Sequence, residues 1–189
     1  MKIMVETSAR HVHLTQEHLD ILCGKGYALT PKKDLSQPGQ FACVEKVEVV
    51  GPKGSLKMSI LGPVRPETQI EISKTETRTL GIDAPLRMSA DLEGTPGCKI
   101  IGPKGEITVD KGVIVAKRHA HFTPDDAKVF GVTDGQAIQI KLDYNGRSLI
   151  FGDVIARVSK TAGLAVHIDT DEANAAGLTG TVDGEAIIG

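Results

Sequence analysis

The chain has 189 residues, enough for one large domain or two small ones with a buried core, and its formal net charge is −2 with both signs interspersed. No basic block is present, which excludes nucleic acid and anionic membrane surfaces as expected partners. Three widely separated cysteines without a Cys-x-x-Cys, few aromatics and abundant glycine point to free thiols in a reducing cytosol and a soluble, turn-rich chain.

Residues 1–13 alternate and then turn apolar, which predicts a strand ending at a His-x-His pair, with no signal-peptide character. Thr15 is placed to cap a short helix from Gln16 to Leu22, stopped by Gly24 or Gly26. Residues 24–43 form a polar loop or small ribbon punctuated by Pro31 and Pro38-Gly39, and loops of that length are often functional. Strand signals at 44–50 and 56–61 flank Gly51-Pro52-Lys53-Gly54 as a hairpin. Ser73-Lys74-Thr75-Glu76 is a capping box opening a helix that stops at Gly81. The Gly-Pro-Lys-Gly turn returns at 102–105 between strands at 98–101 and 106–109, and an apolar strand at 112–117 leads into a second His-x-His. Thr123-Pro124-Asp125-Asp126 starts a helix ending at Gly131. Ile138, Ile140 and Leu142 alternate toward Asn145-Gly146, a strong hairpin signal. Strands at 149–158 and 164–168 follow, then a helix opened by Asp169 or Thr170 and stopped by Gly177, and a last hairpin is expected around Asp183-Gly184. No apolar run approaches the roughly 20 residues of a membrane span. The predicted class is mostly β, with short helical caps and two similar halves.

Arg10-His11-Val12-His13-Leu14-Thr15 recurs 108 positions later as Arg118-His119-Ala120-His121-Phe122-Thr123, and these copies hold four of the six histidines. A second correspondence, at an offset of 96, sets Ile70-Glu71-Ile72-Ser73-Lys74-Thr75-Glu76 against Val166-His167-Ile168-Asp169-Thr170-Asp171-Glu172. It places Glu71 opposite His167. In a strand, side chains two apart share a face at roughly 7 Å and can converge on one ion, while Val12 and Ala120 point into the core. Two histidines with a carboxylate, or three histidines, and an open fourth position compose a catalytic zinc site. The expected ligand sets are His11, His13 and Glu71, and His119, His121 and His167; an exchange of third ligands between halves is also compatible with the sequence. The triads are unequal, the Glu-bearing metal being the less positive centre and the all-histidine metal the stronger Lewis acid.

His18 reads as a solvated helix residue, the cysteines as fillers, and the Gly-Pro-Lys-Gly segments as turns, since no P-loop pattern follows a strand. Arg10 and Arg118 face away from the first histidines and read as structural. Arg65 lies six residues before Glu71 and Arg157 ten before His167, where each could grip an anion such as phosphate bidentately; ordinary surface ion pairs are the competing reading.

Taken together, Ser8-Ala9-Arg10-His11-Val12-His13-Leu14-Thr15, the stretch from Leu29 to Phe41, Gly62-Pro63-Val64-Arg65, Gly81-Ile82-Asp83-Ala84-Pro85, Arg118-His119-Ala120-His121 and His167-Ile168-Asp169-Thr170-Asp171-Glu172-Ala173-Asn174 resemble the PduL-type phosphotransacylases (phosphate propanoyltransferases) over nearly the whole chain. The resemblance implies two duplicated β-barrels with short α-helical caps and an active site between them. Barrel one is expected to combine residues 1–9 with 118–189, and barrel two to span 10–117, with 24–43 as an inserted ribbon serving the substrate site. The implied reaction is reversible transfer of a propanoyl or acetyl group between coenzyme A and inorganic phosphate, with two Zn2+ per chain on the two triads. Acyl-CoA, coenzyme A, phosphate and acyl phosphate are the implied partners, and a homo-oligomer is left open.

By the same resemblance Arg65 is the catalytic residue and binds phosphate, with Gln37, Gln40, Gln69, Ser89 and Arg157 around it. Coenzyme A contacts carry over onto Ser8, Lys33, Leu61 and Asn174. Microcompartment members carry an N-terminal targeting extension, and here the motif begins at Ser8, so a free cytosolic enzyme is expected over a microcompartment lumen. Direct attack by phosphate is preferred to an acyl-enzyme. The competing functions are a zinc-dependent thioester hydrolase and a non-catalytic zinc-binding β-barrel module.

Overall fold

In the computed structural model, which describes residues 1–189, the chain opens with β1 (Lys2–Thr7), β2 (His11–His13), α1 (Gln16–Cys23), β3 (Pro31–Asp34), β4 (Phe41–Val50) and β5 (Ser55–Gly62). It continues through β6 (Gln69–Glu71), α2 (Lys74–Leu80), β7 (Leu86–Arg87), β8 (Cys98–Ile101), β9 (Glu106–Val109) and β10 (Val113–Ala116). The last part is β11 (His119–Phe122), α3 (Pro124–Phe130), β12 (Ala137–Leu142), β13 (Leu149–Val158), β14 (Ala165–Ile168), α4 (Thr170–Ala175) and β15 (Val182–Ile187). The fold is mostly β with four short helices, as the strand periodicity and caps predict.

The chain divides into two units. One comprises Met1–Ala9, Ser36–Pro38 and Lys117–Gly189, and its strands close a barrel in the order β1-β14-β11-β13-β12-β15. Val5, Ala120, Phe122, Ile140, Val166 and Ile168 fill it. The other comprises Arg10–Leu35 and Gly39–Ala116. Its sheet runs β7-β10-β6-β2-β5-β4-β8-β9, with β3 paired to β4, over a core that includes Val12, Leu14, Ile60, Ile70 and Ile100. The polar stretch before β4 is therefore a ribbon. No helix is long and apolar enough to cross a membrane.

Local signals account for most boundaries. Thr15 Oγ1 accepts from the His18 amide at 3.1 Å to start α1. Ser73, Thr123 and Asp169 each close a capping box, with Glu76, Asp126 and Glu172 returning to the cap amide, so orphan N–H groups at three helix starts are satisfied. Asn145 and Gly146 both adopt positive φ (48° and 70°), and Arg147 N donates to Tyr144 O at 2.9 Å. That is the tight hairpin turn expected of this dipeptide.

The two Gly-Pro-Lys-Gly turns do more than reverse the chain. Lys53 N donates to Leu80 O at 3.0 Å and Lys104 N to Leu22 O at 2.9 Å, so each turn satisfies a carbonyl in the last turn of a helix. A Cβ on Gly51 would lie 2.3 Å from Leu80 O, and one on Gly102 would lie 2.5 Å from Leu22 O. Glycine is needed there for close approach.

Three sequence expectations are corrected. Residues 1–13 are two strands rather than one, because the chain leaves β1 after Thr7 and enters the other unit at Arg10. Asp183-Gly184 is no hairpin: β15 passes straight through it, pairing with both β1 and β12. Gly184 is there because a Cβ would lie 2.8 Å from Val5 Cγ2 and 3.0 Å from Ile140 Cγ2 inside the barrel. His18 is partly buried rather than solvated, with Nδ1 2.7 Å from Thr68 Oγ1.

Candidate functional site

In the second unit, β2 and β6 pair antiparallel with His11 opposite Glu71 and His13 opposite Gln69. Because side chains alternate across a strand, Val12 goes fully into the core while both histidines share the other face. The rings of His11 and His13 meet edge-on with centroids 4.9 Å apart. His11 Nε2 is 3.5 Å from Glu71 Oε2, and one ligand-type atom from each of the three residues lies within 4.8 Å of the others. All three residues are buried.

His13 decides what this cluster fits. Its Nδ1 is buried without a hydrogen-bond partner, whereas the ring is hydrogen-bonded to the Leu61 backbone. Burial, then the neighbouring His11 and Arg65, hold its pKa down at about 2, so the imidazole is neutral with a lone pair at its orphan nitrogen. An unpaired buried acceptor beside a second imidazole and a carboxylate is the donor set of a zinc-type ion.

Next to the triad, Gln69 is fully engaged. Its amide nitrogen donates to Glu71 Oε1 at 2.5 Å and to Ser89 Oγ at 2.9 Å, and its oxygen accepts from the Ala90 amide at 2.7 Å. Arg65 Nη1 donates to the same Ser89 Oγ at 3.1 Å. Ala90 is held at φ 76°, a left-handed conformation that L side chains rarely adopt. Arg65, Ser89, Gln69 and Glu71 thus form one connected chain of donors and acceptors beside His13.

The first unit repeats the pattern. On β11 and β14, His119 stands opposite His167 and His121 opposite Ala165. The three rings form a triangle with centroid separations of 4.8, 5.2 and 4.8 Å, and their ligand-type atoms lie within 4.8 Å of one another. His119 Nδ1 is 2.8 Å from the Lys117 carbonyl, so the proton is on Nδ1 and the lone pair on Nε2. Burial and the flanking His119, His167 and Arg157 hold His121 down at about 3. Arg157 is the register partner of His121 on the parallel strand β13.

Other predicted site residues fall differently. Gln37 is buried with its amide committed to the backbone of Gly163, donating at 2.8 Å and accepting at 3.1 Å. Gln40 lies in the turn between β3 and β4, partly buried, and Lys33 is exposed on β3. Leu61 is on β5 beside His13, through the backbone contact above. Ser8 follows β1, its amide on Ile168 O at 2.8 Å, and Asn174 is exposed on α4.

Arg10 and Arg118 prove structural in the same way. Arg10 Nη1 is 2.7 Å from Glu76 Oε1 and Arg118 Nε is 2.9 Å from Glu172 Oε1, so each arginine ties its His-x-His strand to the capping-box glutamate of the helix that follows the third triad residue.

Two residues went unflagged in the sequence. Glu6 Oε1 is 2.7 Å from His167 Nε2, and Ser36 Oγ donates to the same carboxylate oxygen. The sequence hint was slight: Glu6 follows the apolar run Ile3-Met4-Val5 in β1, a strand that also carries Lys2 and Thr7.

Residues 4–179 match the family model described as phosphate propanoyltransferase. A phosphate propanoyltransferase of Thermotoga maritima is 53% identical over 175 residues, 92% of this chain and 83% of the relative. One of Clostridioides difficile is 54% identical, covering 95% and 87%, and one of Listeria monocytogenes is 47% identical, covering 98% and 87%.

Proposed function

Since this chain belongs to the phosphate propanoyltransferase family and is an acyltransferase, we propose that it moves a short acyl group, propanoyl or acetyl, reversibly between coenzyme A and inorganic phosphate, with one zinc ion on each histidine triad. The observation that carries this reading is the linked set Arg65–Ser89–Gln69–Glu71 beside His13, which puts an anion-gripping guanidinium next to a buried metal-type donor set.

Arg65 supplies a fixed positive charge and a planar donor fork that matches phosphate. Ser89 orients that fork, and Gln69 holds Ser89 and Glu71 in register with each other. Bound zinc supplies Lewis-acid polarisation of the thioester carbonyl. A phosphate oxygen bonds to the carbonyl carbon, the carbon–sulfur bond breaks, and coenzyme A leaves as its thiolate. Direct transfer is preferred to an acyl-enzyme because the cysteines are buried and unreactive: burial pushes Cys43 up to about 11 and Cys98 to about 12, and raises Cys23. The same unpaired thiols favour a reducing compartment, the cytosol, for the reaction.

Arg65→Ala tests the reading. Phosphate-dependent turnover should fall by roughly two to three orders of magnitude while zinc content stays at the wild-type level. Wild-type phosphate saturation in this variant would refute it.

A further inference from the structure

The two triads differ beyond their third ligand. In the first unit β1 runs parallel to β14, with Glu6 as the register partner of His167. In the second unit β10 runs parallel to β6, with Ile114 as the register partner of Glu71. Ile114 is fully buried and apolar. Each triad therefore has a single carboxylate on this strand pair: as third ligand in one unit, and beside a histidine third ligand in the other.

The contact geometry says what Glu6 does. Its Oε1 is 2.7 Å from His167 Nε2, and the Ser36 hydroxyl, 3.3 Å from the same nitrogen, donates to that oxygen. A carboxylate is an acceptor only, so Nε2 carries a proton, and the neutral ring then has its lone pair on Nδ1. His119 shows the reverse division, with Nδ1 donating to Lys117 O and Nε2 left as the lone-pair nitrogen. A metal-binding histidine characteristically donates its second N–H to a carboxylate or carbonyl, which fixes the tautomer and raises ligand basicity.

We propose that Glu6, held by Ser36, is a positioning residue of the all-histidine centre, fixing His167 as the Nε2–H tautomer that presents Nδ1 to the metal ion. This rests on the metal reading above. It also narrows the difference between the centres, because the all-histidine site gains a carboxylate through His167 where the other has one directly.

The test is zinc competition against a chromophoric chelator on the full-length, zinc-reconstituted protein, with Glu6→Ile copying the residue of the other unit and Glu6→Gln as a nearly isosteric variant. In Glu6→Ile, one of the two zinc ions, the same one that His167→Ala removes, should bind about 10- to 100-fold more weakly, with the other unchanged. Glu6→Gln, which keeps an acceptor, should lose less, and it carries the test should Glu6→Ile fail to fold. The cobalt-substituted variants, once saturated, should keep the wild-type visible ligand-field bands, because the ligand set is intact. Unchanged zinc affinities in both variants would overturn the proposal, as would a changed band pattern in Glu6→Gln, which would make Glu6 a direct ligand. Wild-type protein that takes up fewer than two zinc ions would instead overturn the metal reading beneath it, before any variant is measured.

Discussion

His11 faces Glu71 across one antiparallel strand pair in the same register in which His119 faces His167 across another. The third member of each triad is thus fixed by backbone pairing, and a carboxylate in one unit stands where an imidazole stands in the other. Glu71→Ala and His167→Ala should each lower zinc from about two to about one per chain in elemental analysis, and the double variant should bind almost none. Loss of both ions from either single variant would show that the triads do not bind separately.

Gln69 touches Glu71, Ser89 and Ala90 at once, so its loss should disturb both the His11–His13–Glu71 triad and the Ser89 hydroxyl that Arg65 contacts. Gln69→Ala should weaken zinc at the His11–His13–Glu71 triad about tenfold or more and also raise the phosphate KM. Chelator competition and phosphate saturation measure the two effects. A raised KM with unchanged zinc affinity would leave Gln69 as a phosphate contact alone.

Gly184 is an inward-facing strand residue with no room for a side chain. Gly184→Ala should cost about 1–3 kcal/mol of stability by overpacking, seen as a lower denaturation midpoint at an unchanged denaturant slope. A neutral substitution would contradict the packing described.

The thiols make a fourth case. Burial raises all three thiol pKa values, Cys98 to about 12 and Cys43 to about 11, so at pH 8 the native protein holds them as thiols and not as nucleophilic thiolates. An aromatic disulfide reagent should label them slowly in the native state and completely in denaturant. Fast labelling of a native thiol at pH 8 would reopen the acyl-enzyme route.

Much of this was legible in the sequence for a definable reason. His-x-His on a strand puts both imidazoles on one face, and the capping boxes at Ser73 and Asp169 provided the landmarks that aligned Glu71 with His167. Such signals are local. Glu6 was invisible because its partner lies 161 residues away and is reached only through parallel pairing of β1 with β14. Gln37 was legible as a polar residue in an odd loop, but nothing local announced that its amide would grip the backbone at Gly163. Asp183-Gly184 misled because a glycine chosen for barrel packing looks the same in sequence as one chosen for a turn.

The most direct measurement follows free thiol and acyl phosphate together when zinc-replete protein meets propanoyl-CoA with and without inorganic phosphate. Phosphate-dependent thiol release matched one for one by propanoyl phosphate is the result predicted. Equal thiol release without phosphate would mark a thioester hydrolase, no release in either arm would leave a non-catalytic zinc module, and either result contradicts acyl transfer to phosphate.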